Sequence, residues 1–242
     1  MVKHMKMNFI TVCTDTYPMI YAEKITRRLV ELSNIKFDCY CLTDRPDEVG
    51  DWATPLPLNI KAGGWWNKLN LFSPDMPEGW NLYLDIDIVL TANFDEELVW
   101  AVSNTKTIAC VSDPISWMGE KFSSSLMIFK TGVNIEIFER FKKEKDLLVD
   151  RVGGDQVWMG PYVKDVTFID EYFPMLKCNL KHDLSDKSVP GFISLPKIIP
   201  KDVKMIDCSG DPRIEDLCVL PYINKYWQQI EPNGKNHGVI AC

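Results

Sequence analysis

The stretch WNLYLDIDIVLTANF, residues 80–94, decides the fold because two aspartates interrupt an otherwise apolar run. The pattern predicts one strand, a break and a second strand, with Asp85 and Asp87 at the break. In an extended segment their side chains would point to opposite faces, so both reach one ion only if the backbone turns or one acts through water. Two interpretations remain open: aspartates that favour a turn, or a carboxylate pair that binds Mg²⁺ or Mn²⁺ together with a diphosphate.

The segments before this stretch predict a strand–helix–strand opening. NFITVCT, residues 8–14, and KFDCYCLTD, residues 36–44, are strand-like, and residues 17–33 between them place apolar side chains at helical spacing. This opening favours a parallel sheet with crossover helices. In such sheets, ligands gather at the carboxyl ends of the strands.

The rest of the chain continues the alternation of strands and helices. Residues 45–66 are predicted to be irregular, and WWNKLNLFSP is predicted to form a short helix that stops before Pro74. Further strands are expected at residues 107–113, 124–132, 166–170 and 203–210, and further helices at 135–150 and 214–229. We therefore predict a single domain over residues 1–242, with residues 230–242 as a tail.

Composition limits the possible classes of protein. With 242 residues, 46% of them hydrophobic, the chain can bury a substantial core. A formal net charge of -7 argues against a protein that coats nucleic acid, but not against a phosphate-bearing small ligand. The eight cysteines have no framework spacing, which favours free thiols in a reducing compartment. The sequence shows neither a hydrophobic signal region nor a membrane span, so we expect a cytoplasmic protein.

Six segments in a fixed order connect the sequence to a known family. They are ITVCTDTYP, GGWWNKLNLF, NLYLDIDIVL, FSSSLMIF, GGDQVW and MIDCSGDPR, and the resemblance covers about residues 8–213. Together they resemble metal-dependent glycosyltransferases of the GT-A fold, particularly relatives of glycosyltransferase family 8. The resemblance implies an α/β fold with a Rossmann-like, mostly parallel central sheet flanked by helices.

The resemblance implies a divalent metal, usually Mn²⁺, that Asp85 and Asp87 hold against the diphosphate of a nucleotide sugar. Relatives carry a further ligand, a histidine followed by glycine, where this chain has Ser209. Serine is a poor metal ligand. The candidates to replace the histidine are water and three side chains, Asp207, His182 and His237. Alternatively, the metal site is weakened and the protein is slow or inactive.

The resemblance also assigns residues to the donor, which we expect to be UDP-linked. Thr14 and Asp15 would meet the base or ribose, and Tyr17 would stack on the base. Lys68 would lie near the donor phosphates, and so would Arg213 in the late loop. Each residue has a structural alternative: Thr14 and Asp15 as a helix cap, Tyr17 as a packing aromatic, and the two cations as solvated surface residues.

Two further segments are implied to contact the donor sugar or the acceptor. FSSSLMIF resembles a strand beside the donor sugar, which makes Ser123 and Ser124 contacts of sugar hydroxyls. GGDQVW resembles a segment that places an aspartate next to the donor sugar or acceptor, here Asp155 with Gln156 beside it. The preceding glycines would allow close approach of the backbone to a ligand, or Asp155 would cap the helix that begins there.

These assignments predict transfer of a hexose to an acceptor hydroxyl on a glycan, protein, lipid or small molecule. The resemblance favours retention of anomeric configuration, which needs no dedicated protein base; an inverting enzyme would need one, and Asp155 is the candidate. Trp65 and Trp66 wall the site, stack on sugar or fill the core. The competing interpretations are a haloacid-dehalogenase-type phosphatase, a sugar nucleotidyltransferase and an inactive nucleotide-sugar-binding protein.

Overall fold

The opening of the chain is the strand–helix–strand unit that the sequence predicts. A computed structural model describes residues 5–14, 17–113, 121–148, 154–184, 195 and 198–228. Strand β1 (Lys6–Val12) is followed by helix α1 (Met19–Leu32) and strand β2 (Lys36–Thr43). β1 and β2 pair in parallel.

Within the described ranges, the central sheet has seven strands. The remaining five are β3 (Thr54–Pro57), β4 (Trp80–Leu84), β6 (Ile108–Ser112), β7 (Phe122–Lys130) and β8 (Val166–Phe168). Their order is β3-β2-β1-β4-β7-β6-β8. Only β7 runs antiparallel to its two neighbours, so the sheet is mostly parallel, as expected.

A second sheet of three short strands lies next to the Asp-x-Asp segment. It consists of β5 (Ile88–Leu90), β9 (Lys177–Asn179) and β10 (Met205–Asp207), in the order β5-β10-β9. β5 and β10 are antiparallel, with Asp207 opposite Ile88. Asp207 is therefore brought beside the turn that contains Asp87, although the two residues are far apart in sequence.

Helices lie on both sides of the central sheet. They are α2 (Asp95–Asn104), α3 (Ile135–Leu148), α4 (Gly154–Met159), α5 (Ile214–Leu217) and α6 (Pro221–Gln228). Among the described residues, 3₁₀ helices span Pro46–Glu48, Gly64–Phe72, Gly160–Tyr162 and Ile169–Glu171. The two faces of the sheet pack into separate cores: Phe9 joins α1 in one, and Ile10 joins α3 in the other.

Three local predictions differ from the structure. The short helix before Pro74 is present, but as a 3₁₀ helix. Residues 54–57, predicted to be irregular, form the edge strand β3, where prolines are tolerated because one side of the strand needs no partner. The helix expected at 214–229 is divided into α5 and α6, because Pro221 has no N–H to continue a helix and instead begins one.

Two further observations concern the thiols and the helices. The seven cysteines in the described ranges form no disulfide, and most are buried. No helix among the described residues is both long and apolar enough to cross a membrane.

Candidate functional site

The backbone turns at the Asp-x-Asp segment. The N–H of Ile88 donates to the carbonyl of Asp85 at 3.3 Å, which closes a four-residue turn, and the N–H of Asp85 donates to the carbonyl of Ser125 at 2.8 Å. Asp85 therefore stays attached to β7 while Asp87 swings out of the strand direction. This is the turn that lets both carboxylates approach one point.

Lys68 is the buried cation that neutralises the first of these carboxylates. Its Nζ lies 2.8 Å from Oδ1 of Asp85 and 3.5 Å from Oδ2 of Asp155, and it donates to the hydroxyl of Ser124 at 3.1 Å. The hydroxyl of Tyr83 also donates to Asp85. The 3₁₀ helix Gly64–Phe72 thus places one ammonium group between the carboxylate of Asp85, which follows β4, and that of Asp155 in α4.

The charges of Lys68, Asp85 and Asp155 depend on one another. Burial alone would lower the pKa of Lys68, but Asp155 and Asp85 outweigh it and raise the pKa, so the ammonium stays charged. Burial raises the pKa of Asp155 even though Lys68 opposes it. Oδ2 of Asp155 is buried and faces Nζ of Lys68, so the carboxylate is held against the ammonium group.

Asp87 and Asp207 experience opposite electrostatic environments. Burial, followed by repulsion from Asp85 and Asp207, raises the pKa of Asp87 to about 7. Burial would also raise the pKa of Asp207, but Lys177 and Ser209 hold it below the ordinary value. Nζ of Lys177 lies 2.6 Å from Oδ2 of Asp207, and the N–H of Ser209 donates to Oδ1 at 2.9 Å.

The donor set for a cation consists mainly of Asp85 and Asp87. Within the described residues, no group of three His, Cys, Asp or Glu side chains is arranged to hold a metal ion. Both oxygens of Asp207 are already engaged by Lys177 and Ser209. Two carboxylates nevertheless fit Mg²⁺ or Mn²⁺, because such ions complete their shell with water and phosphate oxygens. The raised pKa of Asp87 shows a carboxylate whose negative charge a cation would stabilise.

The side chains considered as replacements for a histidine ligand lie in different places. Ser209 faces a lysine, since its carbonyl accepts a hydrogen bond from Nζ of Lys181 at 2.6 Å. The N–H of His182 donates to the side chain of Asn179 at 3.1 Å. His237 lies outside the described residues.

A cleft of about 170 Å³ opens beside Asp87. It is lined by Tyr17, Tyr21, Asp87, Cys208, Gly210, Asp211, Arg213 and Ile214. The guanidinium of Arg213 lies over the ring of Tyr17, 5.2 Å from its centroid. Tyr17, Arg213 and Asp87, three residues predicted from separate segments, therefore meet at one cavity.

Arg45, which follows the neighbouring strand β2, fixes the conformation of the loop after β1. Arg45 donates to the carbonyls of Thr14 at 3.0 Å and Tyr17 at 2.7 Å. The hydroxyl of buried Thr14 accepts from Nδ2 of Asn67 at 3.3 Å. Asp15 lies outside the described residues. The contacts hold Tyr17 at the carboxyl end of β1, next to the cleft.

The serine-rich strand and α4 are joined by hydrogen bonds. The N–H of Ser124 donates to Oε1 of Gln156 at 3.0 Å, and Nε2 of Gln156 donates to the carboxylate of Asp113. Ser123 makes a 2.9 Å hydrogen bond with Ser125, the next residue on its own face of the strand. Ser124, rather than Ser123, is the serine that contacts Lys68.

Comparison with known proteins gives a fold but no close sequence relative. No family model matches the chain, and no curated protein matches its sequence. Among solved structures, it is similar to the galactosyltransferase LgtC in complex with donor and acceptor sugar analogues, with a TM-score of 0.60 at 12% identity over 93% of this chain and 98% of LgtC. The chain has the GT-A glycosyltransferase fold. The fold class expected from the six segments is confirmed.

Two other enzymes share the GT-A fold with this chain. The glycosyltransferase GlyE of Streptococcus pneumoniae TIGR4 has a TM-score of 0.60 at 12% identity, over 94% of this chain and 66% of GlyE. Mouse xyloside xylosyltransferase 1 has a TM-score of 0.51 at 11% identity, over 86% of this chain and 98% of that enzyme. At such identities the likeness establishes the fold.

Lys177 and Arg45 are among the site residues that sequence reasoning missed. Lys177 was detectable in principle, because it interrupts the apolar run MLKCNL, and a lysine in a buried strand requires a partner. Arg45 had a weaker signal, its position directly after a strand that pairs with β1. In both cases the partner is about thirty residues away, so local patterns do not identify it.

Proposed function

We propose that the chain is a glycosyltransferase that moves a hexose from a nucleotide-sugar donor, UDP-linked, to an acceptor hydroxyl. One observation carries the proposal: within a GT-A fold, the cleft of Tyr17, Arg213 and Asp87 adjoins the buried group of Asp85, Lys68 and Asp155. Base-binding, phosphate-binding and carboxylate side chains are thus contiguous. This arrangement favours a glycosyltransferase over a phosphatase.

The donor nucleotide is assigned to the cleft. The half-buried ring of Tyr17 is available to stack on the base, with Thr14 and Asp15 near the ribose. The exposed guanidinium of Arg213 is suited to bind diphosphate oxygens in pairs. The related fold of LgtC was observed with donor and acceptor sugar analogues, which supports a sugar-nucleotide ligand here.

A divalent cation, Mn²⁺ or Mg²⁺, is assigned to Asp85 and Asp87, with Asp207 close behind them. When bound, the cation would supply positive charge to a leaving diphosphate. Lys68 holds Asp85 in place, and Lys177 keeps Asp207 ionised. Asp87 is the carboxylate with no such cationic partner in direct contact among the described residues.

The donor sugar is assigned to the region of Ser124, Asp155 and Gln156, with Ser123 beside it. In the reaction, the acceptor oxygen bonds to the anomeric carbon, the bond from that carbon to the diphosphate breaks, and the acceptor proton passes to the departing diphosphate. We propose retention, which needs no protein base. A second LgtC structure is of an active-site mutant in which glutamine is replaced by glutamate, and Gln156 is the glutamine that this chain offers.

A second candidate function is binding of a nucleotide sugar with little or no turnover. The observation that favours it is the occupation of both Asp207 oxygens by Lys177 and Ser209, which leaves two carboxylates for a cation. Such a protein would bind the same donor but would release no sugar.

The test is a thermal-shift screen against UDP, GDP, CDP and ADP, each with Mn²⁺, Mg²⁺ or EDTA. A ligand that binds only the folded state raises the melting temperature. We expect UDP to stabilise the protein only with a divalent cation, and Asp87→Asn to remove that shift. Asp38→Asn, which changes an exposed carboxylate paired with Lys6, is the control and should keep it. No response to any nucleotide would refute the proposal.

A further inference from the structure

The two adjacent tryptophans of the 3₁₀ helix Gly64–Phe72 have different environments. Trp66 is 5% exposed and belongs to the core on one side of the central sheet. Trp65 is 60% exposed, one of the few large apolar side chains in the described residues that lie mainly in solvent. Trp66 therefore fills the core, and the exposure of Trp65 needs another explanation.

Trp65 lies on the same side of its helix as Lys68. In a 3₁₀ helix, residues three apart are eclipsed, so Trp65 and Lys68 start from the same side of the helix. The ammonium of Lys68 is buried between Asp85 and Asp155. This face of the helix leads from solvent, at Trp65, to the candidate site.

The indole is also in contact with the segment that carries Asp155. Gly154 has φ +70°, and a Cβ at this position would lie 3.4 Å from Nε1 of Trp65. The ring of Trp65 therefore lies beside the start of α4. The next residue is Asp155, whose buried Oδ2 faces Nζ of Lys68.

The contacts define an order across the site. It runs from the cleft of Tyr17, Arg213 and Asp87, through Asp85 and Lys68, to Asp155 and finally Trp65. If the nucleotide occupies the cleft, the transferred sugar lies near the middle of this order. Trp65 then stands at the solvent-exposed end of the site, where an acceptor enters.

We propose that Trp65 is the acceptor platform, and that the acceptor presents a pyranose ring whose C–H face stacks on the indole. This inference rests on the proposed function. A pyranose combines a flat apolar face with a polar rim, which matches an exposed indole beside a buried carboxylate. Trp65 contacts the acceptor directly and takes no part in the bond exchange.

The surroundings of Trp65 favour a sugar over a lipid chain. A lipid-binding surface requires a contiguous apolar patch. Trp65 is preceded by Gly63 and Gly64, which have no side chains to extend such a patch, and by exposed Lys61. A single aromatic ring with open space around it suits one sugar ring.

The test compares transfer with donor hydrolysis, using UDP-glucose and UDP-galactose with Mn²⁺. The acceptor probes are the methyl α- and β-pyranosides of glucose, galactose and N-acetylglucosamine, with glycerol and a serine-containing peptide as non-pyranose probes. Transfer is detected by mass spectrometry, and hydrolysis by release of UDP. We expect transfer to at least one pyranoside.

The variants distinguish loss of acceptor stacking on Trp65 from general damage to the protein. Trp65→Ala should lower kcat/KM for the pyranoside at least tenfold and leave the hydrolysis rate within twofold, whereas Trp65→Phe, which keeps a ring, should retain most of the transfer. Tyr172→Ala removes an aromatic of similar exposure that stacks on Trp100, and it should change neither rate.

Several outcomes would overturn the inference. Donor hydrolysis without transfer to any pyranoside, or transfer only to glycerol or the peptide, would exclude a pyranose acceptor. An equal fall of hydrolysis and transfer in Trp65→Ala would place Trp65 in donor binding or folding. A wild-type protein that neither binds UDP nor hydrolyses the donors would refute the proposed function itself, and this inference with it.

Discussion

Lys68 holds together the carboxylates from two elements of the candidate site. It contacts Asp85 on one side and Asp155 on the other, and all three side chains are largely removed from water. Its surroundings differ from those of a surface lysine, since its ammonium faces carboxylates and Ser124 instead of solvent. Its effect on stability should therefore be large.

We predict that Lys68→Met lowers the free energy of unfolding by about 3 to 5 kcal/mol, because removal of one partner leaves buried carboxylates unpaired. Urea denaturation followed by circular dichroism measures this difference. Lys6→Met removes an exposed lysine from its pair with Asp38 and should leave the midpoint unchanged. Equal midpoints for the two variants would show that Lys68 has no special structural role.

Tyr17 is the residue on which base recognition depends in the proposed function. Tyr17→Ala should weaken UDP binding roughly tenfold or more, because loss of a stacking ring costs about 1–3 kcal/mol. Tyr17→Phe keeps the ring and should bind UDP like the wild type. Isothermal titration calorimetry with UDP and Mn²⁺ measures both. Similar affinities for the alanine variant and the wild type would place the base elsewhere.

At the scale of elements, Asp95 joins the end of α1 to the start of α2. Its carboxylate accepts hydrogen bonds from the hydroxyl of Ser33 at 2.5 Å and from the N–H of Asn34 at 2.8 Å. Burial alone would raise the pKa of Asp95, but hydrogen bonds from Ser33, Asn93 and Asn34 outweigh it and hold the pKa below the ordinary value of 3.8. The ionised form therefore stabilises the fold.

We predict that Asp95→Asn costs about 2 kcal/mol of stability at pH 7, as expected for hydrogen bonds to a charged group. A lowered pKa contributes stability that is complete above the unfolded value of 3.8 and is lost as the pH falls through the folded pKa. The difference in free energy of unfolding between variant and wild type should therefore become smaller below about pH 4. Urea midpoints from pH 3 to 7 test this; Asp146→Asn, at an exposed carboxylate, should show no such gap.

The elements that the sequence predicts well are those set by local pattern. The strand, break and strand around Asp85 and Asp87 follow from an apolar run interrupted by charge, and the structure has β4, a turn and β5 there. β3 was missed because its prolines normally oppose a strand, and only its position at the sheet edge permits them. An edge position is a property of the assembled sheet.

The residues of the candidate site also divide into those that the sequence indicates and those that only the folded structure identifies. Asp85, Asp87 and Tyr17 stand at strand ends, where pattern and resemblance both indicate function. The pairing of Lys177 with Asp207 depends on two strands brought together by the second sheet. The contact between Trp65 and Gly154 likewise joins residues from distant segments. Such contacts require the three-dimensional arrangement.

At the scale of the whole molecule, the fold brings four segments together near the carboxyl ends of the central strands β1 and β4. The loop after β1, the Asp-x-Asp turn, the start of α4 and the loop after β10 all contribute side chains to the cleft or to the adjoining buried group. The cytoplasmic location and the single-domain organisation stay predictions. We propose that this arrangement cleaves a nucleotide sugar.

The most direct measurement of that claim is NMR detection of sugar release from UDP-glucose and UDP-galactose in the presence of Mn²⁺. We predict that the wild type produces UDP and hexose from at least one donor, that EDTA abolishes the reaction, and that Asp87→Asn slows it about a hundredfold or more, as for loss of a group that stabilises transition-state charge. A wild type that binds UDP but leaves both donors intact, or an Asp87→Asn variant as active as the wild type, would contradict it.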